Sequence, residues 1–179
     1  MYEHGRGVPK NESEAMKWYR RAAWQGEEAS SNRLRDLEDR RREREELLAG
    51  QGDAEAQYRR GLRFELGKDS PKDDEQAALW YLRAAEQGHA QAQFHMGRFH
   101  DAGRGGLSQD DAMAARWYLR AAEQGLVDAQ IALGWKYEKA LGVAQDDEQA
   151  LEWYRKAAAS GSKPGRFRLE ELEKSRAGR

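Results

Sequence analysis

The chain has 179 residues and no cysteine. That excludes disulfide-stapled scaffolds, thiol enzymes and Cys-ligated zinc sites at once. No segment approaches the ~18 consecutive apolar residues of a membrane span. The opening MYEHGRGVPKNESEA lacks the basic-then-apolar order of a secretory signal, so a cytoplasmic location is the expectation. Neither sign of charge is in excess. Lys and Arg number 31 against 32 Asp and Glu, a net charge of −1, which argues against a general nucleic-acid binder with a basic face. What the chain has in quantity is charge of both signs. Charged residues make up 35% of it, against about a quarter in an ordinary domain. Mean hydropathy is −1.08. This composition raises a disordered or coiled-coil reading, which six Trp and seven Tyr oppose. The length fits one domain.

Those aromatics carry the main signal, an internal repeat. Trp-Tyr occurs at Trp18–Tyr19, Trp80–Tyr81, Trp117–Tyr118 and Trp153–Tyr154, inside AMKWYRRAAWQG, AALWYLRAAEQG, AARWYLRAAEQG and ALEWYRKAAASG. Full units fall at 51–86, 87–123 and 124–159, the middle one longer by the second glycine of GRGGL. Each unit reads as two helices. The first covers about Asp53–Leu66, His89–Asp101 and Leu126–Lys139, with Ala129, Leu133, Gly134 and Tyr137 on one face. The second starts near Asp74. Ala77, Tyr81 and Ala84 form its buried stripe, repeated as Ala114, Tyr118, Ala121 and as Ala150, Tyr154, Ala157.

Caps agree with this division. Asn11 with Glu14, Asp73 with Gln76 and Asp146 with Gln149 fit a capping box; Asp110 caps, but Met113 does not complete its box. Gly88, Gly125 and Gly161 supply the positive φ that ends a helix. Gly61, Gly97 and Gly134 recur at one register inside the first helices. Each costs ~1 kcal/mol of helix propensity, so three in register imply a packing role, with a neighbouring helix drawn close.

The string A-x-x-x-L-G-x-x-Y, then G-x-G-V, then D-x-x-x-A-x-x-W-Y-x-x-A-A-x-x-G resembles the Sel-1-like repeat, closely over 51–161 and in part over 2–26. That family is related to the tetratricopeptide repeat. The resemblance implies an all-α fold, a right-handed α–α superhelix of stacked helix pairs. It also implies adaptor or scaffold roles, in bacterial members among others, and a protein or peptide partner on the concave face. Some bacterial members act as immunity proteins against secreted toxins, so the resemblance implies that role as an alternative. Cysteine-rich members are associated with penicillin binding or β-lactamase activity, but they carry two Cys per repeat where this chain has none. The expectation is therefore a non-enzymatic module without cofactor, metal or nucleic acid.

Two departures stand out. The first repeat begins at its last helical turn, since Tyr2-Glu3-His4 aligns with Tyr137-Glu138-Lys139. Either the chain is a piece of something longer or the helix near Glu12–Trp24, bearing Met16, Trp18, Tyr19 and Trp24, finds another cover, such as self-association through this end. Residues 27–50 form a degenerate, charged segment without Trp-Tyr. Its RLRDLEDRRREREELL reads as one long helix of roughly 30–35 Å with i,i+4 ion pairs, or else as a hairpin near Glu38–Arg42. A terminal helix over 160–179, with Phe167, Leu169 and Leu172, caps the last repeat.

No catalytic constellation emerges. His4, His89, His95 and His100 do not form a metal set; His95 and His100 are five apart on a helix and do not share a face. Gly103-Arg104-Gly105-Gly106 lacks the Gly-Lys-Ser/Thr ending and the preceding strand of a phosphate loop. Asp73-Asp74 and Asp146-Asp147 suit helix starts. What remains is surface. By analogy with tetratricopeptide domains, the positions six, ten and thirteen after each repeat glycine face the concavity. They are Tyr58, Leu62 and Glu65; Phe94, Arg98 and Asp101; Ile131, Trp135 and Glu138; and Phe167. Trp135 and Arg98 are the residues expected to make contacts.

Overall fold

A computed structural model describes residues 4, 11–68 and 71–178. The alignment of Tyr2-Glu3 and the first GRGV turn lies outside the described residues. Among the described residues all regular structure is helical: α1 (Glu12–Trp24), α2 (Glu28–Gly50), α3 (Ala54–Leu66), α4 (Asp74–Glu86), α5 (Ala90–Ala102), α6 (Asp111–Glu123), α7 (Val127–Lys139), α8 (Asp147–Ala159) and α9 (Lys163–Ala177). The chain forms two compact units, residues 1–48 and 49–179.

In the first unit Ala15, Met16 and Leu37 are buried together, with Tyr19 and Leu34 beside them. Arg20 meets Glu38 at 2.9 Å. α2 runs through residues 38–42 without a break. Its charges pair along the helix at both spacings, as in Arg41–Glu45 (i,i+4) and Arg42–Asp39 (i,i+3). Such exposed pairs add only a few tenths of a kcal/mol each.

The second unit is an α-solenoid. α3 pairs with α4, α5 with α6 and α7 with α8; α4 packs on α5, α6 on α7, and α9 closes on α8. The small-residue stripes allow this close stacking, with Ala77, Ala84, Ala114, Ala121, Ala150 and Ala157 fully buried. The second helices start on aspartates. Asp73, Asp110 and Asp146 each accept the amide three residues on. Their own backbone N–H groups do not donate to the side chain three residues on, as a capping box would have them do. They donate instead to the carbonyls of Phe64, His100 and Tyr137 at the end of the first helix. The capping box is thus opened, and its free half ties the two helices of a repeat together.

A glutamine ladder joins successive repeats. Gln57, Gln93 and Gln130 are buried. Each donates its amide to a carbonyl in the last turn of the preceding helix, those of Ala49, Ala85 and Ala122. Gln87 and Gln124 then donate to the side-chain oxygens of Gln57 and Gln93, both at 2.7 Å. Ser160 occupies the next register position, and its hydroxyl bonds to Lys156 O. Gln130 Oε1 is left buried without a partner.

The first helices end on a left-handed residue. Gly67 and Gly103 take φ 66° and 60°, but the third position is Ala140 at φ 56°. A Cβ there costs roughly 1 kcal/mol or more.

Two substitutions check these readings by thermal melting. Ser160→Gln should complete the ladder and raise Tm by ~3 °C, since an unmet buried acceptor costs about 1 kcal/mol or more. Ala140→Gly should raise Tm by a similar ~3 °C as left-handed strain is relieved. A fall in either case refutes the corresponding account.

Candidate functional site

The Trp-Tyr pairs of α4, α6 and α8 each divide their work. The Trp rings of α4, α6 and α8 lie nearly buried, and a cation three residues on covers each one. Arg83 sits 4.6 Å from the Trp80 centroid, Arg120 4.7 Å from Trp117 and Lys156 3.9 Å from Trp153. The i,i+3 spacing makes this a local cation–π contact. The Tyr rings enter the notches left by glycine. A Cβ on Gly61 would lie 2.7 Å from the Tyr81 ring, one on Gly134 2.6 Å from Tyr154, and Gly97 faces Tyr118 in the same way. The glycines therefore admit a ring from their own repeat's second helix.

Set this deep, each Tyr hydroxyl donates to the acid thirteen residues after the repeat glycine. Tyr81 reaches Glu65 at 2.7 Å, Tyr118 reaches Asp101 at 2.6 Å and Tyr154 reaches Glu138 at 2.9 Å. Burial, then the carboxylate, pushes all three phenols well above their ordinary range. A cation from the following repeat meets the first two acids. Arg104 contacts Glu65 at 3.2 Å and grips Asp74 at 2.9 and 3.1 Å. Lys136, only 1% exposed, bridges Asp101 and Asp111, the latter at 2.6 Å. His95 Nδ1 lies 3.0 Å from Glu65 Oε2. This contact, aided by the Tyr81 hydroxyl and nearby Arg98 against the effect of burial, holds the Glu65 carboxyl down to about 2.

The row expected to face the concavity divides in two. Tyr58 and Leu62 pack half-buried against the core of the first full repeats. Tyr58 also stacks on His89 at 4.6 Å. Phe94 packs beside Tyr118 and Ile131 beside Tyr154. Glu65, Asp101 and Glu138 point at tyrosine hydroxyls. Arg98 stays exposed, Trp135 is 37% exposed and Phe167 59%. In the first unit Trp18 and Trp24 are 53% and 92% exposed, while Met16 is buried.

His89 and His95 have structural partners. His89 caps α5, accepting from Ala92 N, and its other nitrogen is 2.9 Å from Glu55. His95 stacks on Tyr81 at 4.5 Å. The Gly103–Gly106 turn presents Arg104 to Asp74 and Glu65. Among the described residues no three His, Cys, Asp or Glu gather as a metal site, and no helix is long and apolar enough to cross a membrane.

Repeated helix pairs locked by a polar ladder define a helical-repeat scaffold, a class that generally mediates protein interactions. The chain belongs to the Sel1 repeat family, whose model matches residues 1–27, 54–89, 90–126 and 127–162. It is similar to the Sel1 repeat protein of Oxalobacter formigenes at 40% identity and TM-score 0.67, covering 77% of this chain and 99% of that one. It is also similar to c5321, a protective antigen of uropathogenic Escherichia coli strains with an SLR fold. That match has 28% identity and TM-score 0.75 and covers 96% of this chain but only 38% of the antigen. Helicobacter pylori cysteine rich protein B shares the fold at 18% identity and TM-score 0.52, over 87% of this chain and 92% of that one. No curated protein matches the chain significantly.

The low pKa of Glu65 gives its contacts with Tyr81, His95 and Arg104 a pH signature. A carboxyl depressed on folding contributes stability above its unfolded pKa, near 4.5. That contribution is lost progressively as pH falls from there to about 2. Urea midpoints at pH 5 and pH 3 should show the wild type losing ~2 kcal/mol more than Glu65→Gln. Equal losses would remove Glu65 from the account.

Proposed function

We propose that the chain is a non-enzymatic interaction module that takes an extended protein or peptide segment along the face of its first helices. The observation that carries this reading is the division within the row. Packing consumes Tyr58, Leu62, Phe94 and Ile131, whereas Arg98, Trp135 and Phe167 keep solvent-facing surface. Trp and Arg are the residue types that most often dominate binding energy when desolvated by a partner. Trp135 stands where the other repeats have Leu62 and Arg98, so it is not a packing requirement of the fold. Successive first helices would present these side chains as a line, which suits an extended ligand better than a compact small molecule. A role as immunity protein to a secreted toxin is a special case of this reading, with a folded partner in place of a peptide.

Panning a random peptide library against the full chain tests the proposal. Selected peptides should lose at least about tenfold in affinity to Trp135→Ala or Arg98→Ala, with Tm unchanged within ~2 °C because both side chains are exposed. Peptides that bind both variants like the wild type would refute the assignment.

A further inference from the structure

α2 is held by buried side chains toward its two ends and by none between them. Leu37 is buried in the first unit with Ala15 and Met16. Ala49 is buried at the other end, and its carbonyl accepts the Gln57 amide. None of residues 38–48 is buried. Glu38 meets Arg20 of α1, and pairs such as Arg41–Glu45 and Arg42–Asp39 run along the helix itself. Exposed pairs of this kind stabilise a helix weakly. A stretch of about a dozen residues is marginal as a helix in water when no buried face supports it. The boundary between the two compact units falls in this helix, between Leu48 and Ala49.

The same stretch gathers arginine. Arg40, Arg41, Arg42 and Arg44 stand there without a lysine among them. Arg40, Arg41 and Arg44 are exposed and Arg42 is half-buried. The bonds 40–41 and 41–42 have arginine on both sides, whereas the bonds after Arg42 and Arg44 lead into Glu43 and Glu45. A carboxylate beside the scissile bond is repelled by the acidic pocket that binds an arginine side chain. The first two bonds are therefore the ones such a pocket accepts. An endoprotease takes its substrate extended, so a helix is cut only where it opens locally. The arginines of α4, α6 and α8 lie on helices whose alanine stripes are fully buried. Opening one of those helices breaks the layer to which it belongs.

We infer that the Arg40–Arg42 stretch is a processing site, at which an arginine-specific endoprotease separates the two units. The step is hydrolysis. The peptide bond after Arg40 or Arg41 breaks, the hydroxyl of water completes the new carboxylate, and its proton goes to the new amine. The cut leaves Leu37 with the first unit. It leaves Ala49 with the second, together with the Gln57 bond to its carbonyl. Each buried anchor of α2 stays on its own side, so the solenoid keeps α3 to α9 intact. The first helices' exposed row has no part in this site, and the two readings stand or fall separately.

The test is limited proteolysis of the full chain with an endoprotease specific for arginine, read by intact mass. The first cut within residues 11–173 should fall after Arg40 or Arg41. It should be at least about a hundredfold faster than any cut in α3 to α8, which requires the opening of a packed layer. The larger product should keep the helical circular dichroism of the solenoid and melt cooperatively. Replacing all four residues together, Arg40→Lys, Arg41→Lys, Arg42→Lys and Arg44→Lys, keeps charge and helix propensity. That variant should survive the same protease at least about tenfold longer, because only the opened packed helices remain to be cut. A first cut in α1 or in the solenoid, an equal lifetime of the lysine variant, or a larger product that unfolds on release would overturn the inference.

Discussion

The contact of a tyrosine ring with a helical glycine is the constraint on which the rest of the solenoid depends. Without a Cβ at Gly61, Gly97 or Gly134, a full aromatic ring lies against the helix backbone. Only at that depth does the phenol reach the acid four residues further along the same helix. The acid, fixed by the hydroxyl, then holds its second oxygen or its neighbour toward the following repeat. An alanine at the glycine would therefore do more than create a steric clash. It would withdraw the hydroxyl from Glu65 or Asp101 and loosen the clasp that these acids make with Arg104 or Lys136. Packing inside a repeat and bonding between repeats are coupled through one absent methyl group.

This coupling explains how so hydrophilic a chain folds. A stack of helix pairs has no central volume to fill; each layer is closed by alanines and a few aromatics. The apolar area per layer is modest, so directional polar contacts carry a larger share of the specificity. The glutamine ladder, the aspartate caps and the acid–cation clasps all join elements about one helix or one repeat apart. Several are buried and satisfied, the condition under which polar groups specify a structure instead of weakening it. The opened capping box follows the same logic: the aspartate's side chain serves its own helix and its amide serves the partner helix.

Much of this was legible in the sequence. The Trp-Tyr register, the alanine stripes and the in-register glycines located the helix pairs, and the aspartates located their starts. Other features were hidden for physical reasons. Gln57, Gln93 and Gln130 recur visibly, but a glutamine looks like surface until the carbonyl it satisfies is known. The clasp was hidden because Arg104 and Lys136 occupy unrelated positions in their repeats, so periodicity does not align them. Ala140 carries no mark of the left-handed conformation that Gly67 and Gly103 advertise. In the row expected to face the concavity, Tyr58, Leu62, Phe94 and Ile131 pack half-buried against the core. A spacing rule gives the angular position of a side chain on its helix, but not whether the adjacent layer reaches it first.

The departures from the repeat pattern are not scattered over the second unit. Ala140 replaces glycine, Ser160 replaces glutamine, and Leu172 stands where a cation would complete the clasp; all three belong to the last full repeat or to α9. In a quasi-one-dimensional stack, stability is the sum of repeat terms and nearest-neighbour interface terms. The interface of α9 with the repeat before it therefore keeps its apolar contacts, through Leu172, Leu151 and Tyr154, while lacking two polar bonds that the earlier interfaces possess. An interface built this way leaves a buried acceptor, Gln130 Oε1, without a partner. Such groups are costly when left alone in a low-dielectric setting and favourable when matched. That asymmetry is what Gln87 and Gln124 remove in the two earlier layers, by donating to the side-chain oxygens of Gln57 and Gln93.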